Sequence, residues 1–309
     1  MERATELRNI VRVTKPEPLK DENFKKFFVE TDEARGINAA SMLSDFFSIN
    51  RDEPQKVLFL GHRGSGKSTE LFRFGEYLKD EFRIINFSIK DEADVADLEY
   101  SDLIFIILRK LYQQAKDDEI AINEHVLSNL DHYWHDETLI EKFNEIESAF
   151  DHYELLSMIK VKEVTGERCR RGHEIIRNIV RKRADLNLFE PEALDYAIEK
   201  SGGSLRHLFE VLQNAVLDIR VRNREAQKID RQAVENAYKK LRSYFERTIT
   251  ADHLLILKSV HESADKKPTA DGTLKELLNC MAVIEYNGNR WCDLHPAVAD
   301  ILREKGDIE

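Results

Sequence analysis

Cysteine is scarce in this chain of 309 residues: Cys169, Cys280 and Cys292 are the three present, and none stands at metal-ligand spacing from another. That pattern favours buried or bystander thiols over a thiolate metal centre, and from an odd count without a secretory leader reduced thiols and a cytoplasmic location are expected. Long apolar runs are missing as well. The longest purely aliphatic or aromatic run, residues 103–108, is far too short to span a bilayer, and the N-terminus Met1-Glu2-Arg3-Ala4-Thr5-Glu6 is charged, so no membrane anchor is expected. There is no internal repeat and no low-complexity segment. Basic residues are the minority, 47 Lys+Arg against 58 Asp+Glu, and the net charge of −11 disfavours wholesale coating of nucleic acid while leaving room for a local basic face. The chain does hold core-forming material: 42% hydrophobic and 9% aromatic residues, enough for two globular domains.

The most informative stretch is Gly61-His62-Arg63-Gly64-Ser65-Gly66-Lys67-Ser68-Thr69, which fits G-x-x-x-x-G-K-[ST] and comes directly after the apolar run Val57-Leu58-Phe59-Leu60. A phosphate-binding loop needs that context, a strand before the loop and a helix after it. The glycines let backbone N–H groups turn inward around phosphate oxygens, and Lys67 adds a point charge at the β- and γ-phosphates. The helix after the loop starts with its positive dipole end facing the anion, and Ser68 would hold Mg²⁺. Leu71, Phe74 and Leu78 share one face of that helix. ATP and Mg²⁺ are therefore the expected ligands, with all nine residues 61–69 at the nucleotide.

In chain order, residues 1–20 are polar and end in Lys15-Pro16-Glu17-Pro18, an arm that could wrap a neighbour. Phe24, Phe27 and Phe28, then Ala39, Met42, Leu43, Phe46 and Phe47, have helical spacing, whereas residues 83–89 read as a strand by β-branched content. Residues 103–115 read as a buried helix, and 155–161 as another strand. His125, His132, His135 and His152 fall in or beside a helical, acidic stretch. Only His132 and Asp136 have helical ligand spacing there, which favours solvated faces over a metal. Residues 160–183 carry nine Lys/Arg and three acids, a solvated helix face or a surface for phosphate, nucleic acid or a neighbouring subunit's nucleotide. Helices are expected over 191–200, 205–220 and 231–245. Short helices over 253–260 and 274–280 precede a hairpin turning at Asn287-Gly288, a winged-helix order.

Ser201-Gly202-Gly203-Ser204-Leu205-Arg206 opens a helix about 140 residues after the loop, and it resembles the G-G-x-x-R sensor of AAA+ ATPases of the origin-recognition and STAND type. The resemblance spans roughly residues 20–300. It implies a parallel α/β P-loop core over 21–165, a helical lid over 166–247 and a winged helix over 248–309. Arg206 would then reach the γ-phosphate from the lid, and ATP hydrolysis would drive a switch controlling assembly or a partner protein. ATPases of this kind are common in bacterial signalling, defence and mobile-element systems.

Two of that family's parts are not found in the sequence: a third strand ending in paired acids, and a fourth ending in a polar sensor. Asp91-Glu92 comes nearest, but Lys90 intervenes. A segment carrying both strands is therefore expected to be missing near residues 136–143, with a chain break at Glu141–Lys142 and residues 143–150 resembling the family's stretch just after the fourth strand. The alternatives are a nucleotide-binding scaffold that does not hydrolyse, and a DNA-binding ATPase using residues 160–183, Arg170 and Arg171 included. Residues 248–309 hold seven Lys/Arg and eleven Asp/Glu, which disfavours the DNA reading.

Overall fold

The computed structural model describes residues 1–93, 98, 100–121, 152–263, 272–286 and 291–309. The expected break at Glu141–Lys142, the histidines at 125, 132 and 135, and the Asn287-Gly288 turn lie outside the described residues. The chain divides into two units, one of residues 1–46, 57–74 and 153–309, the other of residues 47–56 and 75–152.

The larger unit opens with three short helices, α1 (Leu7–Val13), α2 (Asp21–Phe27) and α3 (Asp32–Arg35), and α4 (Ala39–Ile49) begins in it. Strand β1 (Val57–Gly61) runs into the loop, and α5 (Lys67–Leu78) leaves it. Strand β2 (His152–Leu156) is hydrogen-bonded to β1. The Arg35 guanidinium reaches the carbonyls of Ser65 and Ser157, which lie just past the two strands, so both strands end on the same side as in a parallel pair.

Helices α7 (Arg170–Arg183), α8 (Pro191–Lys200), α9 (Leu205–Arg222) and α10 (Arg231–Thr248) form the helical body of this unit. Local chemistry sets their starts. Pro191 occupies the first turn of α8, Ser204 accepts from the His207 amide at 3.3 Å to open α9, and Asp230 accepts from the Ala233 amide at 2.7 Å to open α10. Arg181, Lys182 and Arg183 end α7, where cations suit the negative end of the helix. Ile176, Ile198, Leu208, Leu212 and Val234 are fully buried where these helices meet. Each such side chain contributes about 1.5–3 kcal/mol relative to exposure.

The C-terminal part has the expected order. Helices α11 (Leu254–Glu262) and α12 (Gly272–Asn279) precede antiparallel strands β3 (Val283–Tyr286) and β4 (Trp291–Leu294), and α13 (Pro296–Glu304) closes the chain. Val283 faces Leu294 and Tyr286 faces Trp291 in that ladder. Met158, Met281, Ile284, Tyr286 and Trp291 make a small core of their own under the hairpin.

In the smaller unit, α6 (Tyr100–Asp117) is a helix as its apolar periodicity requires. Residues 83–88 correct the sequence reading, because they form no strand and lead into a 3-10 turn at Ile89–Asp91. β-Branched content favours a strand only where a neighbour takes its hydrogen bonds, and among the described residues none does. Residues 157–161 depart from expectation for a related reason. Ser157 to Val161 are buried or nearly so, but their backbone partners include the short helix α3 and another strand: Lys160 N donates to Ala34 O at 3.3 Å and Met158 N to Glu285 O at 3.4 Å. Residues 1–20, expected as an arm, are folded against the helical body. Ala4 N donates to Arg183 O at 2.7 Å, Gln213 Nε2 donates to Thr14 O at 2.8 Å, and Leu7, Ile10 and Val13 are buried. None of the described helices is long and apolar enough to cross a membrane.

A buried histidine pair joins α9 to α13. His295 Nδ1 accepts from the Ala297 amide at 3.1 Å, so its proton sits on Nε2 and is donated to His207 Nδ1 at 3.0 Å. The arrangement needs both rings neutral. Burial, and for His207 also the nearby Arg206 charge, pushes the His207 pKa down to about 4; burial first, then His207 and nearby lysines, pushes His295 well below 6.5. Between pH 6.5 and about 4 the unfolded chain takes up protons that the fold refuses, so stability present above 6.5 is lost as pH falls. Urea unfolding across that range is expected to show a falling midpoint, and replacing both histidines with asparagine is expected to reduce the slope, the part left coming from His173, held down at about 4 by burial and then the Arg168 charge, and from His62.

Candidate phosphate-binding site

The loop between β1 and α5 brings the nine expected residues together. Gly64 and Gly66 have φ of +84° and +101°, the left-handed backbone that lets successive N–H groups turn to one side. Ser65 is buried, Arg63 and Ser68 are exposed, and Lys67 and Ser68 are the first residues of α5. Lys67 Nζ donates to Gly61 O at 2.5 Å and to His62 O at 2.9 Å, folding its charge back over the loop. Thr69 Oγ1 accepts from Leu19 N at 3.2 Å, which ties the N-terminal segment to the start of α5.

Arg206 meets the same loop from the first turn of α9. A Cβ built on Gly64 would stand 2.6 Å from Arg206 Cβ and 3.4 Å from its Nε, so the guanidinium stem lies directly on the glycine. Arg206 Nε is buried with no hydrogen-bond partner, and so is the hydroxyl of Ser65. Burial, then the Arg206 charge, holds the Lys67 pKa below its ordinary value, while burial, then the Arg63 charge, lowers that of Arg206 against the opposing pull of Glu210. Arg206 thus lies close enough to lower the Lys67 pKa, and Arg63 close enough to lower that of Arg206, so the loop gathers positive charge of the kind that suits an anion. The loop and Arg206, from two stretches far apart in sequence, thus lie against each other in the fold.

Behind the loop stands a charge network that the sequence does not announce. Arg35 is 2% exposed and donates through Nε to Thr31 Oγ1 at 2.7 Å, through one terminal nitrogen to Ser65 O at 2.6 Å, and through the other to Ser157 O. Burial lowers its pKa to about 10 despite Glu70 and Asp32, which act to raise it. Arg73, in the second turn of α5, bonds Asp32 through both terminal nitrogens at 2.9 and 3.0 Å, Glu30 at 2.7 Å and Glu70 at 3.4 Å. Burial raises the Glu70 pKa against the opposing arginines. The signals available in sequence are faint: Thr31 and Arg35 one helical turn apart, and Glu70 and Arg73 at i, i+3.

His62 has a role beyond its place in the motif. Its Nε2 accepts from Glu285 N at 3.0 Å, which leaves the proton on Nδ1, 3.1 Å from Leu278 O. Burial, then the Lys67 charge against the Leu278 carbonyl, keeps this imidazole neutral below its ordinary pKa. The same strand β3 contacts the segment before Arg206, because Tyr286 Oη donates to Gly202 O at 2.8 Å.

The basic stretch over residues 160–183 is largely consumed within the fold. Lys160 pairs with Glu163 at 2.9 Å, Lys162 with Asp293 at 2.6 Å, Arg168 and Arg177 share Asp195, and Arg171 pairs with Glu33. Lys182 donates to Phe28 O at 2.5 Å and Arg183 is buried between the rings of Phe27 and Phe209. A surface groove of about 690 Å³ beside the start of α7 is lined by Arg168, Arg170 and Arg177 but also by Glu167 and Glu174. With Asp195 on two of the arginines, no excess of positive charge is left there for a polyanion.

No protein-family model matches the chain, and no curated protein matches it. Among solved structures, two point mutants of Thermotoga maritima RuvB are similar at 13% identity, each overlap covering 93% of this chain and 98% of theirs. Their TM-scores are 0.40 and 0.39. Likeness that loose carries no argument, so the geometry of the loop and of Arg206 carries the functional reading.

Proposed function

We propose that this chain binds ATP with Mg²⁺ at residues 61–69 and hydrolyses it as an AAA+-like switch, with residues 166–247 as lid and 248–309 as a winged helix. One observation carries the reading: Arg206 lies on Gly64 of the loop with its buried Nε unpartnered, beside a lysine whose ammonium is folded back onto loop carbonyls. The γ-phosphate is the group that would engage both cations. Its arrival would let Lys67 exchange carbonyl contacts for phosphate oxygens, and would give Arg206 a charge-assisted acceptor. Ser68, exposed at the start of α5, would hold Mg²⁺ together with the phosphates, a usual arrangement for an ion that keeps several waters. The metal would supply neutralisation of the phosphate charge. A cytoplasmic, oligomeric or partner-bound protein fits this reading. Steady-state ATP hydrolysis tests it, with Lys67→Ala as the control. Turnover by the wild type well above that control supports it, and turnover equal to the control refutes it.

One observation favours a second reading, a scaffold that binds ATP without hydrolysing it. Glu70 and Asp32, acids close behind the loop, are engaged by Arg73 and so are poorly placed to polarise water. Tight ATP binding with no turnover separates this reading from the first. A DNA-binding ATPase is a weaker alternative, given the internal pairing of residues 160–183. A salt-sensitive shift of labelled duplex, lost when Arg170 and Arg171 are reversed to Glu, would promote it.

A further inference from the structure

We infer that Arg35 is a positioning residue for the phosphate loop: by holding the Ser65 carbonyl from behind, it fixes the Ser65–Gly66 peptide so that the Gly66 N–H points toward the bound phosphate. This role rests on the nucleotide reading. A trans peptide is planar, and its C=O and N–H point in opposite directions, so an acceptor pinned on one side aims the donor to the other. Arg35 donates to Ser65 O at 2.6 Å, and a Cβ built on Gly66 would come within 3.7 Å of the same guanidinium nitrogen. The Gly66 N–H is therefore aimed away from Arg35.

Without that anchor the peptide would be free to turn over. Gly66 sits at φ +101°, and a glycine flanking a peptide removes the side-chain barrier that would otherwise hold its plane. A turned peptide would present a carbonyl to the phosphate, where the loop requires a donor. The remaining two hands of Arg35 are fixed too, on Thr31 Oγ1 at 2.7 Å and on Ser157 O just beyond β2. Planar, permanently charged and forked, the guanidinium can serve three acceptors in one plane. Lysine has a point charge on a flexible stem and cannot. Glu70 and Asp32 balance the buried charge, and Arg73 holds both of them in place. The network is therefore organised from the loop backward, with Arg35 as its contact to the Ser65 backbone.

Three proteins test this: wild type, Arg35→Lys and Arg35→Ala, each titrated with ATP·Mg²⁺ and followed by thermal unfolding. Arg35→Lys keeps the buried charge and is expected to fold, yet to bind ATP about 10- to 100-fold more weakly, the size of losing a charge-assisted anchor. Arg35→Ala is expected to lose more, and to regain part of its affinity in millimolar guanidinium but not in equal concentrations of ammonium. A merely structural residue would not show that selectivity. ATP binding by Arg35→Lys equal to that of the folded wild type, or rescue by both cations alike, overturns the role of Arg35 alone. No ATP binding by the wild type overturns this role together with the nucleotide reading.

Discussion

Replacing Lys67 with alanine is expected to weaken ATP binding by about 1.5–3 kcal/mol, roughly 10- to 150-fold, with the fold unchanged. The expected size comes from removing a hydrogen-bonding charge at an anion, and the preserved fold from what Lys67 touches. Its ammonium donates to Gly61 O and His62 O, loop carbonyls that water can reach once the side chain is gone. It also lies close enough to Arg206 for that charge to lower its own affinity for a proton, so part of the charge crowding at the site is relieved by the substitution. Stability is therefore expected to hold or rise slightly, while affinity falls. Calorimetric titration with ATP alongside thermal unfolding reads both quantities. Loss of both together would mean that Lys67 serves the fold and not the ligand.

The second large effect is expected at Gly203, three residues before Arg206. Its φ is +85°, and a Cβ there would stand 1.9 Å from the carbonyl oxygen of Ile159. Gly203→Ala therefore meets both a strained backbone and a main-chain obstacle that cannot swing aside. Ile159 is itself fully buried, in the segment that leads from β2 to α7. A loss of about 3–5 kcal/mol is expected, at the upper end for a single substitution. Relief of the clash would move the Gly203 backbone and with it Ser204, whose hydroxyl caps α9, the helix that carries Arg206. Thermal unfolding of Gly203→Ala tests the size of the effect, and a midpoint within a degree or two of the wild type would contradict it.

How far the sequence can be read depends on whether a feature is local. The loop is legible because strand, glycines, lysine and helix lie in one short stretch and each is required by the next. Arg206 is legible as a partner because two glycines before a capped helix leave a recognisable trace. Arg35 leaves only the faint trace of Thr31 one helical turn before it, since its other acceptors, at Ser65 and Ser157, are 30 and 122 residues away and both are backbone carbonyls, which any residue type supplies. His62 is legible only as a loop residue for the same reason: its partners at Leu278 and Glu285 are backbone groups more than 200 residues on. Residues 83–89 show the converse, a strong local preference with no neighbour among the described residues to satisfy it. The first twenty residues read as an arm because polar residues and prolines dominate, whereas Leu7, Ile10 and Val13 form a narrow apolar face on α1 that docks onto the helical body.

Lys67 and Arg206, brought to one loop from distant parts of the chain, are expected to act on the same phosphate. A double-mutant cycle measures this most directly: ATP affinities of the wild type, Lys67→Ala, Arg206→Ala and the double variant. Groups that share one ligand atom cluster do not act independently, and the two losses are expected to be non-additive by about 1 kcal/mol or more. The same cycle run with AMP, which lacks the β- and γ-phosphates, is expected to show no coupling. Additive losses with ATP, or affinities that none of the substitutions changes, would contradict the account.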